Sequence, residues 1–78
     1  MKKTTQLKQM LLARQALPCP GVYDALSARI AQECGFQAVQ ISGYGISASS
    51  LGMTDASFTS LEEVVRITAT IARVVDIP

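Results

Sequence analysis

Segments with the spacing of amphipathic helices alternate along this chain with short apolar segments typical of buried strands, and this alternation limits the fold to few classes. Helical spacing predicts a first helix over residues 5–16 and a second over residues 25–34. β-branched residues near glycines favour strands at residues 21–23 and 36–42. A third helix is expected from residue 61 onwards. This order favours an α/β fold in which helices cover a parallel sheet.

Local signals mark the ends of these elements. Pro18 follows the first helix and ends it, because proline lacks the backbone N–H and disfavours helical geometry before it. Asp24 is the expected N-cap of the second helix, and Gly35 its C-terminal stop. Ser60 and Glu63 have the spacing of a capping box at the start of the third helix.

Apolar residues also indicate one face of each of the last two helices. In the second helix this face is marked by Leu26, Ile30 and Cys34. The third helix has a longer stripe at helical spacing, which consists of Leu61, Val64, Val65, Thr68, Ile71, Ala72 and Val75.

The length of 78 residues allows one domain at most. Residues 76–78 look like the beginning of another strand. A parallel sheet must be covered on both faces, and a (β/α)₈ barrel of the TIM type typically takes about 250 residues. We therefore expect residues 1–78 to be the N-terminal fragment of a single (β/α)₈-barrel domain with an N-terminal helix, too short to be catalytic alone.

The composition argues against several classes of function. The net charge is +1 without a basic stripe, so nucleic-acid binding is not expected. No apolar run approaches the ~20 residues that cross a bilayer, so the protein is expected in the cytoplasm. Cys19 and Cys34 lack a zinc-site spacing and are expected to be reduced and buried. The solvated face of the first helix is expected to carry Lys2, Lys3, Lys8 and Arg14.

A glycine-rich segment at the end of the second strand is the strongest candidate for a binding site. Residues 43–45 are expected to break the chain, with at most a short helical turn over residues 46–51. Ligands of parallel α/β folds bind at the carboxyl ends of strands. The backbone N–H groups of Gly43, Tyr44 and Gly45 could bind an anion there, and Ser42 could add its hydroxyl. A plain turn without a ligand remains the alternative.

Residues 43–48 also match G-x-G-x-x-A, a relaxed dinucleotide-binding pattern. That interpretation requires an acidic residue at the end of a second strand about 20 residues later. Glu62 and Glu63 lie near that distance but within the predicted third helix.

Asp55 has two interpretations as well. Its carboxylate could cap a turn, which the residues alone favour, or it could lie near Mg²⁺.

Four segments in this order resemble the opening of the isocitrate lyase / phosphoenolpyruvate mutase superfamily. They are residues 20–28 (PGVYDALSA), 35–36 (GF), 42–44 (SGY) and 51–55 (LGMTD). The likeness runs from about Leu7 to Pro78, and the shared order and spacing of the motifs make it specific. It is greatest to the short members, which include phosphorylmutase-like, petal death protein-like and dimethylmalate or methylisocitrate lyase-like proteins.

This resemblance implies a modified TIM barrel that assembles as a homotetramer and makes or breaks C–C bonds, sometimes P–C bonds, beside a carboxylate. It implies that Ser42, Gly43 and Tyr44 bind the substrate's carboxylate or oxyanion. It also implies that Asp55 helps to hold a Mg²⁺ ion, through water. The family's Asp-x-Asp metal ligands and catalytic loop cysteine have no match within these residues, and neither cysteine of this chain takes that role.

We therefore expect the N-terminal part of a Mg²⁺-dependent C–C lyase that acts on small 2-hydroxy or 2-oxo dicarboxylic acids through an enolate. The alternatives are a P–C bond mutase or an oxaloacetate-acting relative, a dinucleotide-binding oxidoreductase fragment, and a non-catalytic remnant or interaction piece. An interaction piece would bury its open sheet edge against another chain.

Overall fold

The computed structural model describes residues 2–54 and 60–78, which form an α/β arrangement of four helices and a small parallel sheet. The element order agrees with the alternation in the sequence. In chain order the elements are α1 (Lys3–Leu12), β1 (Gly21–Val22), α2 (Ala25–Glu33), β2 (Gln40–Ile41), α3 (Gly43–Leu51) and α4 (Leu61–Val74). No helix in these two ranges is long and apolar enough to cross a membrane.

The two strands pair in parallel, with Gly21 opposite Gln40 and Val22 opposite Ile41. This confirms the predicted parallel pairing, although β2 is much shorter than the predicted strand over residues 36–42. The Ser42 N–H donates to the Val22 carbonyl at 2.9 Å, which continues the ladder one residue beyond β2. The carboxyl ends of both strands therefore lie at the same edge of the sheet.

The last residue of the chain lies beside β2 on the side away from β1. The Val39 N–H donates to the Pro78 carbonyl at 2.9 Å, whereas the next N–H, that of Gln40, donates to Pro20 at 3.0 Å. Successive N–H groups of a strand point to opposite neighbours, so Pro78 occupies the position of a third strand. The prediction that residues 76–78 begin another strand agrees with this bond.

The core lies between the sheet and two helices that pack against each other, α2 and α4. Its buried members are Val22, Ala28, Ala31, Ile71 and Val75. The alanines of α2 allow a close approach to β1 and α4 because they have no side chain beyond Cβ. Ile71 and Val75 come from the predicted stripe of the third helix, but Leu61 at the start of that stripe is 78% exposed.

The apolar face predicted for α2 is wrong. Leu26 is 68% and Ile30 52% exposed, and Cys34 is exposed as well. Each residue advances about 100° around a helix. Leu26 and Ile30 are two residues from the buried Ala28 and therefore lie about 200° from it, on the other side of α2. Cys19 is also exposed, so both cysteines are free as expected but not buried.

Helix α1 ends four residues before the predicted boundary, because Arg14 adopts a left-handed conformation with φ of 55°.

Lys3 does not belong to a solvated face. Its ammonium donates to the carbonyls of Ala72 and Val75, which are at the C-terminal end of α4. A cation is favourable there because the helix dipole places partial negative charge on these carbonyls. Lys3 therefore ties α1 to the end of α4.

Candidate anion-binding site at the carboxyl end of β2

Helix α3 begins immediately after β2, with Ser42 as its N-cap. Ser42 has extended backbone geometry, and its Oγ accepts a hydrogen bond from the Gly45 N–H at 2.9 Å. The Ile46 N–H donates to the Ser42 carbonyl at 2.9 Å and closes the first helical turn. The predicted break at residues 43–45 is therefore wrong. A serine N-cap supplies the acceptor that starts a helix, and it outweighs the low helix propensity of the two glycines.

The first turn of α3 leaves two backbone donors available at the end of β2. The N–H groups of Gly43 and Tyr44 have no acceptor among residues 2–54 and 60–78. Gly45 was predicted as a third donor, but its N–H is already bonded to Ser42. The partial positive charge of a helix N-terminus favours an anion at such unpaired N–H groups. The part of Ser42, Gly43 and Tyr44 in binding a substrate stays a prediction.

Close packing fixes the position of these donors. A Cβ added to Gly45 would lie 2.9 Å from the Cβ of Tyr23 and 3.1 Å from the Oγ of Ser42. A Cβ on Gly21 would lie 3.3 Å from the Cβ of Ser42. The strands and the start of α3 therefore meet closely, and at Gly45 the distance leaves no room for a Cβ unless a neighbour moves. The sequence did not predict the contact with Tyr23, because it depends on helix α3 beginning at residue 43.

Asp24 is used within its own helix. Its Oδ1 accepts from the Ser27 N–H at 2.7 Å, while the Ser27 Oγ accepts from the Asp24 N–H at 3.2 Å. This reciprocal pair is a capping box, and it confirms the predicted N-cap. The carboxylate therefore stabilises the start of α2.

A cavity of about 370 Å³ lies between the turn after β1, the end of α3 and the side of α4. Its polar lining groups come from Tyr23, Asp24, Ser49, Ser50, Arg66 and Thr70. Asp24 and Arg66 bring opposite charges to this cavity, so it has no net preference for an anion. The Arg66 side chain is exposed.

The predicted metal residue, Asp55, lies outside the described residues. Within residues 2–54 and 60–78, no group of three His, Cys, Asp or Glu side chains is placed to hold a metal ion. The described part of the chain therefore supplies anion donors at the end of β2 but does not supply a set of metal ligands.

Comparison with known proteins identifies the family of this chain. Residues 7–78 match a family model described as phosphoenolpyruvate phosphomutase. The chain is 31% identical over 78 residues to the 2,3-dimethylmalate lyase of Eubacterium barkeri. The aligned region covers all of this chain and 27% of that relative. It is 39% identical over 67 residues to the petal death protein of Dianthus caryophyllus. This aligned region covers 86% of the chain and 21% of that relative.

A third relative is a phosphorylmutase. The chain is 47% identical over 51 residues to the chloroplastic carboxyvinyl-carboxyphosphonate phosphorylmutase of Arabidopsis thaliana. The aligned region covers 65% of this chain and 15% of that relative. The chain spans about a quarter of the length of the first two relatives. The resemblance drawn from the sequence motifs is thus confirmed, and two of these three relatives are named as a lyase and a mutase. The chain belongs to the phosphoenolpyruvate phosphomutase family.

Proposed function

We propose that this chain forms the substrate-anion site of a C–C lyase that acts on small 2-hydroxy or 2-oxo dicarboxylic acids through an enolate. The observation that carries the proposal is the pair of unpaired N–H groups, of Gly43 and Tyr44, directly after the carboxyl end of β2. Membership of a family whose relatives include a dimethylmalate lyase and methylisocitrate lyases supports the reaction class.

The geometry suits a carboxylate or a developing oxyanion. Two backbone N–H groups and the dipole of α3 act on the same point without any side-chain rearrangement. Ser42 accepts from Gly45 through an Oγ lone pair, so its hydroxyl hydrogen stays available for donation. A substrate anion would therefore meet three donors from consecutive residues. Fixed donors of this kind stabilise negative charge as it develops in a transition state.

Dependence on Mg²⁺ is part of the proposal, with Asp55 near the ion. When bound, such an ion stabilises the negative charge of an enolate as a Lewis acid. The described residues do not form its ligand set, because Asp24 is engaged as a helix cap and no group of three His, Cys, Asp or Glu side chains among them is placed to hold a metal ion.

A P–C bond mutase is the second candidate. It is favoured by the 47% identity to the Arabidopsis phosphorylmutase, although that match covers only 51 residues. The lyase is preferred because the 2,3-dimethylmalate lyase matches all 78 residues.

The proposal also includes a (β/α)₈ barrel, a homotetramer and a cytoplasmic location. The bond from Val39 to Pro78, beside β2, supports the barrel.

Titration of the ¹⁵N-labelled 78-residue chain with oxalate tests the anion site. Oxalate is a small planar dianion that resembles an enolate of pyruvate. We expect saturable shifts centred on the amide signals of Gly43 and Tyr44. Ser42→Asp should keep the helix start, because Asp is a good N-cap, and should weaken binding roughly tenfold or more by charge repulsion.

Ser49→Asp is the matched control, because it adds the same charge to the exposed face of the same helix. It should leave the oxalate affinity within about threefold of the unchanged chain, since exposed charges are screened by solvent and salt. Shifts that avoid Gly43 and Tyr44, or equal effects of the two aspartates, would contradict the anion site.

A further inference from the structure

Gln40 is a polar residue in a position where parallel strands normally carry apolar side chains. Its neighbours in sequence, Val39 and Ile41, pack against the helix-covered core. Side chains alternate along a strand, so Gln40 points to the opposite face of the sheet, the face that Ser42 shares. The Gln40 side chain is exposed, and its amide has no hydrogen-bond partner among the described residues. Packing among the described residues therefore does not explain this residue.

Spacing along β2 relates this amide to the anion site. Two residues of a strand span about 6.6 Å, so Gln40 lies that far from Ser42 along the same face. Gly21 is opposite Gln40 in the register of the sheet. Because Gly21 has no side chain, β1 places no side chain beside Gln40 on this face. A molecule with its carboxylate at Ser42, Gly43 and Tyr44 could extend along β2 towards the amide.

We infer that Gln40 is a specificity-determining residue of this site and binds a second oxygen-bearing group of the substrate. The inference rests on the proposed anion site and adds the class of molecule that it accepts. An amide both donates and accepts, so it can bind a hydroxyl, a carbonyl or a second carboxylate. The preferred ligands are small acids with an oxygen substituent three or four carbons from the bound carboxylate. Acids with an apolar end of the same length leave the amide unpaired.

The test compares 4-hydroxybutyrate with pentanoate, which have the same charge and chain length and differ in one terminal group. Both are titrated into the ¹⁵N-labelled chain, and the side-chain NH₂ signals of Gln40 are followed together with the amide signals of Gly43 and Tyr44. We expect 4-hydroxybutyrate to bind about 5-fold more tightly, because one additional hydrogen bond has roughly that value. Its binding should also shift the Gln40 NH₂ signals.

Gln40→Met keeps the length of the side chain and removes the amide, so it should equalise the two affinities. Gln37→Met makes the same change outside the strands and should keep the 5-fold ratio. Gln40→Leu is the second variant, used if the methionine variant loses its dispersed amide spectrum. Shifts at Gly43 and Tyr44 with equal affinities in the unchanged chain, or a ratio that survives Gln40→Met, would overturn the role of Gln40 alone. Absence of any shift at Gly43 and Tyr44 would overturn the anion site and this inference together.

Discussion

Tyr23 lies so close to the backbone of Gly45 that a Cβ at position 45 would be 2.9 Å from the Tyr23 Cβ and 3.0 Å from its Cδ1. The same added atom would be 3.1 Å from the Oγ of Ser42, the atom that caps α3. The residue after β1 and the first turn after β2 are thus in direct contact. This contact fixes the start of α3 relative to the sheet.

Gly45→Ala is therefore expected to disturb both the fold and the anion site. The new methyl group cannot fit without moving Tyr23 or the Ser42 cap, and overpacking of this kind costs about 1–3 kcal/mol. Urea unfolding should show this loss of stability, and oxalate affinity should fall as well.

Ser50→Thr is the control for Gly45→Ala, because it adds one methyl group at an exposed position of the same helix. It should change the free energy of unfolding by no more than about 0.5 kcal/mol. Equal stability of the alanine variant and the unchanged chain would show that the contact of Tyr23 with Gly45 is not tight.

Lys3→Met should destabilise the end of α4. The substitution removes the ammonium that donates to the carbonyls of Ala72 and Val75, and it retains most of the apolar stem. The expected loss is about 1–2 kcal/mol, because a charged donor and a helix-dipole interaction disappear together. Lys8→Met changes an exposed lysine of the same helix and should have little effect. Amide exchange should accelerate in the last turn of α4 for the first variant only; equal exchange in the two variants would argue against the tie.

The sequence predicted the elements whose signals are local. Asp24 caps α2 as expected, and Gly35 stops this helix with φ of 95°, a conformation that favours glycine. Ser60 accepts from the Glu63 N–H at 3.2 Å at the start of α4. Each of these signals depends on a few neighbouring residues, so periodicity and capping chemistry were sufficient to find them.

The wrong predictions concern features that depend on distant residues or on competing local signals. Lys3 was expected in solvent because its partners, Ala72 and Val75, are about 70 residues away in the sequence. At α3, two glycines suggested a break, whereas the Ser42 cap starts a helix there. The predicted position of Gly43 and Tyr44 next to the end of β2 nevertheless agrees with the structure. Their position could be predicted from the expected strand, whereas their helical conformation could not.

The roles of Asp24 and Asp55 can be separated experimentally. Asp24→Asn should keep α2 intact, because Asn is as good an N-cap as Asp, whereas Asp24→Ala should cost about 1 kcal/mol of stability. Neither variant should alter metal binding if Asp24 acts only as a cap. Asp55→Asn should weaken metal binding without this loss of stability, because the proposed role of Asp55 is near the ion.

Mn²⁺ can replace Mg²⁺ in this experiment and broadens the NMR signals of nearby nuclei. Because oxalate itself chelates Mn²⁺, the ion should broaden the amide signals of Gly43 and Tyr44 when oxalate is bound there, and Asp55→Asn should reduce this broadening at a given Mn²⁺ concentration. Asp76→Asn removes one negative charge at an exposed position and serves as the control for net charge. If Asp55→Asn and Asp76→Asn reduce the broadening equally, Asp55 acts only through the overall charge. If Asp24→Asn reduces it most, the assignment of Asp24 as a cap and Asp55 as the metal residue is wrong, because a carboxylate that only caps a helix is replaceable by an amide.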